Sequence, residues 1–255
     1  MAARTFKDHF SEASGNYSRY RPDYPAELFE WLASVSRQHG TAWDCATGNG
    51  QAALLLADFF NRVIATDASS SQIENAVKKR SVHYRVATAE DSGIAAGSVD
   101  LVTVAQAFHW FDSKAFSLEV DRVLKDAGIL AIWTYNLLSV SKEIDTIVYH
   151  LYKTTLKDCW AFERTQVENG YRDVRLPFGE IDTPDLSMST QWDLSQFIGY
   201  LCTWSAVKKY EAETGRNPVE ELHGQIREAW GSPDRRRAIN WPLSVRAWKK
   251  SCAFT

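Results

Sequence analysis

Cysteine is scarce in this 255-residue chain: Cys45, Cys159, Cys202 and Cys252 are the only four, and no two form a C-x-x-C pair. That scatter argues against a disulfide framework and against a thiolate zinc site, so no metal is expected. An excess of one charge is missing too. Lys and Arg total 29 against 32 Asp and Glu, a net charge of −3, which gives no broad basic surface for nucleic acid or an anionic membrane. The short clusters Arg235-Arg236-Arg237 and Lys249-Lys250 read as solvated faces. No apolar run approaches the ~18 residues that cross a bilayer, and the first ten residues lack the apolar core of a secretory signal. A cytoplasmic location is the expectation. Internal repeats and low-complexity linkers are absent, so residues 1–255 read as one principal domain.

What is abundant is apolar and aromatic. Hydrophobic residues make up 45% of the chain, with ten tryptophans, enough to furnish a large core and leave some rings for a pocket. Between residues 42 and 135 short β-rich runs alternate with helical periodicity, the pattern of βαβ units around a parallel sheet. Strands are predicted at 42–46, 62–66, 82–87, 99–104 and 128–134. Helices are predicted at 51–60, after a Ser71-x-x-Glu74 capping box with Ile73, Ala76 and Val77 behind it, and from Ser113, where Phe116, Val120, Val123 and Leu124 share one face. Gly128 follows where an αβ turn is needed.

After residue 138 the rhythm turns helical, with Ile144, Ile147, Val148, Leu151 and Tyr152 on one stripe and further helices at 194–211 and 217–230. Strands at 174–181 and 238–248 extend the sheet at its far edge. The expected organisation is an N-terminal lid (1–35) broken at Pro22 and Pro25, a core (36–138), helical substrate-binding insertions with one strand (139–232), and a C-terminal edge strand (233–255).

In a doubly wound sheet ligands bind beyond the carboxyl ends of the strands, and candidate residues gather there. Gly48-Asn49-Gly50 opens a helix after the first strand, and glycines permit a close ligand approach. Asp67 ends the second strand, where a carboxylate can accept both hydroxyls of a ribose, or simply cap the next helix. Gly48-x-Gly50-x-x-Ala53 also satisfies a dinucleotide fingerprint, which leaves a nicotinamide-dependent oxidoreductase open. Asp44 argues the other way. A carboxylate ending the first strand repels a pyrophosphate but attracts the ammonium of an amino-acid tail.

Taken together, Asp44-x-x-x-Gly48-x-Gly50, Asp67, Ala89-Glu90-Asp91, Ser98-Val99-Asp100-Leu101-Val102 with Ala105-Gln106-Ala107-Phe108-His109-Trp110-Phe111, and Arg122-Val123-Leu124-Lys125-Asp126-Ala127-Gly128 resemble a class I S-adenosylmethionine-dependent methyltransferase. Tyr17 to Pro25 and Thr203-Trp204-Ser205 are similar to the branch containing trans-aconitate methyltransferase-like proteins. Ala46 departs from the pattern, standing where many members carry the first glycine of a three-glycine turn.

The resemblance implies a Rossmann-like α/β fold of seven mostly parallel strands, the last antiparallel, with added lid helices. It implies that Gly48, Asn49 and Gly50 border S-adenosylmethionine, that Asp67 and Ala68 meet its ribose and Ala89 and Glu90 its adenine. Asp44, Ala105 and Gln106 would approach its methionine end, with Tyr20 and Arg21 in a lid. S-adenosylhomocysteine would be the product. For the methyl acceptor, a small molecule, candidates are Arg21, His109, Trp110, Trp133, Tyr135 and Trp204. His109 reads as a general base, as a donor that orients a carboxylate, or as a histidine packed on Trp110. Small organic acids, methylated to esters, are the first acceptor class. A cofactor-binding protein without transferase activity stands as a further alternative.

Overall fold

Runs such as Val63-Ile64-Ala65 and Leu101-Val102-Thr103-Val104 are apolar on both faces, as strands covered by helices on both sides must be. In the computed structural model, which describes residues 22–252, they form inner strands of one sheet. Its strands are β1 (Thr41–Cys45), β2 (Arg62–Asp67), β3 (Val82–Val86), β4 (Val99–Ala105), β5 (Leu124–Tyr135), β6 (Gly179–Ile181), β7 (Leu186–Trp192) and β8 (Arg237–Lys249). They lie in the order β3-β2-β1-β4-β5-β8-β6, with β7 also paired to β8. Strands β1 to β5 are parallel, and β8 runs antiparallel to β5, β6 and β7. Strand order reverses at β1, between β2 and β4, which opens a crevice at their carboxyl ends.

The helices are α1 (Ala26–Val35), α2 (Gln51–Leu56), α3 (Ser70–Glu74), α4 (Ser113–Val123), α5 (Lys142–His150), α6 (Arg164–Glu168), α7 (Leu194–Cys202), α8 (Ser205–Thr214) and α9 (Pro218–Trp230). Alternation along the strands divides the core. Ile129, Ala131 and Trp133 of β5 join Leu28, Phe29 and Leu32 of α1 on one face. On the other, Leu130 and Ile132 meet Phe116, Val120 and Val123 of α4. Each fully buried Val, Leu, Ile or Phe among them contributes about 1.5–3 kcal/mol. No helix among the described residues is long and apolar enough to cross a membrane.

Several expectations need correction. The sheet has eight strands, not seven, and the 139–232 region contributes two of them. The addition is β7, in which Met188 and Trp192 are buried between exposed neighbours. Strand β8 is no edge: Ile239, Trp241, Leu243, Val245 and Ala247 are buried along it, and it pairs on both sides. Residues 174–178 lie outside β6.

Strand β5 begins at Leu124, so Gly128 is within it, and the expected turn is a register irregularity opposite Val99–Leu101 with Ala127 at φ +60°. Helix α2 stops at Leu56 because the chain turns to bury Phe60 against His39, 5.3 Å between ring centres. The cap of α3 is Ser69, whose Oγ accepts from Gln72 N–H at 3.4 Å; Ser71 lies inside the helix, and Val77 beyond its end is exposed. The predicted 194–211 helix is two, separated at Thr203, whose hydroxyl donates to the Tyr200 carbonyl at 2.6 Å.

Candidate functional site

The turn from β1 to α2 takes left-handed backbone at Ala46 (φ +53°), Gly48 (+57°) and Gly50 (+92°). Ala46 therefore keeps the conformation a glycine would adopt, at a cost of about 1 kcal/mol. At Gly50 the chain itself demands glycine: a Cβ there would stand 2.1 Å from the Tyr84 hydroxyl. The Gln51 amide donates to the Pro22 carbonyl at 2.9 Å and to Asp23 at 3.2 Å, tying the first described residues to this turn. Tyr20 and Arg21, the expected lid residues, lie outside the described residues, as do residues 1–21 as a whole.

Two carboxylates stand behind the turn. Asp44 is fully buried; it accepts from the Thr47 hydroxyl at 2.5 Å and the Thr103 hydroxyl at 2.9 Å. Burial outweighs these bonds and, with the Asp67 charge adding to it, pushes the Asp44 carboxyl up to about 6. Asp67, half-buried at the end of β2, accepts from Gly48 N–H and Ser69 N–H, each at 2.9 Å. These two bonds fix the orientation of the carboxylate at the end of β2. Asn49 and Ala68 are half-buried beside it, and Ala89 is buried. Glu90 Oε1 accepts from Asp112 N–H at 3.1 Å, joining the segment after β3 to the start of α4.

At the end of β4 Ala105 is half-buried, and Gln106 adopts φ +57° with its side chain turned to β5. Its Oε1 accepts from the Thr134 hydroxyl at 2.6 Å and its Nε2 donates to the Tyr135 carbonyl at 3.4 Å. The 3-10 turn Phe108–Trp110 then presents His109. Its ring lies 4.7 Å from that of Trp110, and its Nδ1 is 2.9 Å from the Tyr171 hydroxyl. Burial, aided by the positive charge of Arg164, lowers the His109 pKa to about 4. The imidazole is neutral at pH 7.

The other expected acceptor residues divide between regions. Trp133 is fully buried on the α1 face, edge-on to Tyr24 and Phe29 at 5.6 and 6.3 Å, and its Nε1 has no hydrogen-bond partner among the described residues. Tyr135 is buried on the same face. Trp204 packs in the helical region against Trp160 at 5.7 Å, Tyr152 at 5.8 Å and Tyr200 at 6.1 Å.

Sequence reasoning missed Tyr171 and Arg164, which join His109 to that aromatic group. Tyr171 sits at φ +57° directly after Gly170, and Arg164 follows a two-residue spacer from Trp160-Ala161. The one available signal was the mixed aromatic and basic run from Trp160 to Arg164.

A family model described as "Methyltransferase domain" matches residues 43–132. A Dictyostelium discoideum protein named as a methyltransferase is 32% identical, with 96% of each chain covered. An uncharacterized methyltransferase of Schizosaccharomyces pombe is 35% identical over 52% of this chain and 53% of its own. A solved structure from Anaeromyxobacter dehalogenans, described as a type II methyltransferase, superposes with a TM-score of 0.86 at 43% identity, covering 90% of this chain and 98% of that one. Full-length similarity of this kind, on a sheet ordered 3-2-1-4-5 with its carboxylates at the ends of β1 and β2, answers the choice that the glycine fingerprint left open: the chain belongs to the class I S-adenosylmethionine-dependent methyltransferases.

Proposed function

We propose that the protein transfers a methyl group from S-adenosylmethionine to a small organic acid, forming a methyl ester. The observation that carries this reading is the enclosure of His109, whose Nδ1 lies 2.9 Å from the Tyr171 hydroxyl and whose ring packs 4.7 Å from that of Trp110; burial there leaves the imidazole neutral and weakly basic. A general base works best with a pKa near the operating pH, and an imidazole at about 4 is too weak to take a proton from a hydroxyl or an ammonium. A carboxylate needs no such help, since it is already ionised at pH 7.

The residues at the β1 and β2 ends suit the methyl donor. Asp67, held by two backbone N–H groups, has the chemistry to accept the ribose hydroxyls, and Asp44 supplies a carboxylate toward an ammonium. Ala89 and Glu90 would border the adenine, and Ala105 and Gln106 the methionine end. When bound, S-adenosylmethionine supplies a sulfonium methyl whose carbon an acceptor oxygen attacks in line, an O–C bond forming as the C–S bond breaks and its electron pair leaves with sulfur. The chain's own part is then alignment and exclusion of water. The buried aromatics Trp133 and Tyr135 support the latter, and the Trp133 N–H, without a partner among the described residues, supports a polar contact to a ligand. The resemblance of the Tyr17 to Pro25 and Thr203-Trp204-Ser205 segments supports a place in the trans-aconitate-like branch.

Incubation with labelled S-adenosylmethionine and a panel of acids, phenols and amines tests the acceptor class. Base-labile label on acids is the expected result, and methylation confined to amines contradicts it.

A further inference from the structure

Arg164 is a cation held in place by aromatic rings rather than by a counter-charge. Its guanidinium carbon stands 4.3 Å over the Trp160 ring and 5.2 Å over the Tyr152 ring, and Nε donates to the Tyr152 hydroxyl at 2.6 Å. The nearby carboxylate is already committed elsewhere. Glu168 accepts from the Tyr152 hydroxyl with one oxygen and pairs with Lys153 at 2.8 Å through the other. Two cations therefore share one anion, and the surplus positive charge rests on Arg164. Its terminal nitrogens have no hydrogen-bond or ion-pair partner among the described residues.

Location makes that surplus relevant. Helix α6 packs against the Phe108–Trp110 turn, and the Asn136 amide at the end of β5 donates to the Glu168 carbonyl at 2.9 Å. Arg164 thus sits over the carboxyl ends of β4 and β5, close enough for its charge to act on both His109 and Tyr171. The backbone beneath it is specialised: Tyr152 and Lys153 lie on a π turn, Leu151–Thr155, that continues α5. Such turns recur at functional sites. Trp160 Nε1 donates to the Tyr152 carbonyl at 3.0 Å, which fixes one stacking ring against the other.

We propose that Arg164 is the anchor for an anionic group of the methyl acceptor, taking a carboxylate in a two-pronged contact through its terminal nitrogens while Trp160 and Trp204 form an apolar wall. A guanidinium is the side chain suited to planar, bidentate carboxylate recognition, and stacking on aromatics orders its fork in advance. A carboxylate so bound turns both oxygens to the guanidinium, so the anchored group and the methylated atom are taken to be different, and the acceptor carries both. This inference rests on the small-acid reading above and narrows it to acids with a second nucleophilic group.

The test is calorimetric titration of the full chain, loaded with S-adenosylhomocysteine, with phenylsuccinate, succinate and the uncharged phenylsuccinamide. Wild-type protein is expected to bind phenylsuccinate at least tenfold more tightly than phenylsuccinamide, R164Q to lose at least tenfold in acid affinity with the amide unchanged, and R164K to recover part of the loss. S-adenosylhomocysteine affinity measured on each variant reports an intact fold. Equal binding of acid and amide, an R164Q affinity equal to wild type, or no acid binding by a protein that does bind S-adenosylhomocysteine would each overturn the anchor. Absence of S-adenosylhomocysteine binding in the wild type is a different failure, and it counts against the donor site instead.

Discussion

The Tyr171 hydroxyl lies 2.9 Å from His109 Nδ1, and so links a strained residue at φ +57° to the turn that follows β4. Desolvation around this contact raises the phenol pKa as well, so both partners are neutral at pH 7.

A pH dependence follows from the histidine. Its pKa falls from the ordinary 6.5 to about 4 in the folded chain. Between those values the unfolded chain takes up a proton and the folded one does not, so stability is full above about 6.5 and lost as pH falls toward 4. Asp44, raised to about 6 from 3.8, acts in the opposite sense: its contribution is full below 3.8 and lost as pH rises through 6. His109→Gln removes only the first effect. Denaturant midpoints of the variant should therefore fall less than those of wild type between pH 6.5 and 4, and identical slopes would contradict the neutral imidazole.

The same substitution separates two roles in catalysis. A hydrogen-bonding His109 predicts that His109→Gln lowers kcat/KM by roughly tenfold, about 1.4 kcal/mol, without altering the shape of the pH-rate profile near neutrality. Loss of an ascending limb near pH 6.5 would instead assign proton abstraction to His109.

Ala46 and Gly50 should respond in opposite directions to changes at Cβ. Ala46→Gly relieves a left-handed alanine and is expected to raise stability by about 1 kcal/mol. Gly50→Ala meets both a φ of +92° and the Tyr84 hydroxyl at 2.1 Å, and is expected to lose about 2 kcal/mol or more. A double-mutant cycle with Tyr84→Ala isolates the contact: the alanine at position 50 should be less damaging once the ring is gone.

Trp133 offers a spectroscopic test. An indole N–H that is buried and unpartnered among the described residues should move downfield in the proton spectrum when donor product and an acid occupy the site together. Trp133→Phe should then weaken acid binding without weakening S-adenosylhomocysteine binding, and an indole resonance that ignores both ligands would leave Trp133 to the core.

How far the sequence announced this arrangement depends on the length scale of each signal. The five parallel strands were readable because their apolar runs are bounded by turns, and Asp44, Gly48 and Asp67 because they sit at strand ends where a local pattern marks them. Helix ends were less so. Ser71-x-x-Glu74 has the spacing of a capping box, yet it is Ser69 whose hydroxyl accepts from Gln72 N–H, a bond that spacing alone does not reveal. Strand β7 has its alternation in Met188 and Trp192, but polar Ser187, Ser189 and Gln191 around them read as loop until β8 supplies a partner. Arg164 and Tyr171 had no periodicity to mark them, because what makes them matter is a stacking and a hydrogen bond between segments remote in sequence.

The central claim, that the ends of β1 and β2 hold S-adenosylmethionine through Asp67, is tested most directly by titrating S-adenosylhomocysteine into wild-type protein and Asp67→Asn, with NAD as the control ligand. Binding to wild type, at least tenfold weaker binding to the folded variant and no response to NAD are predicted. Equal affinity in the two proteins, or binding of NAD without S-adenosylhomocysteine, would contradict it.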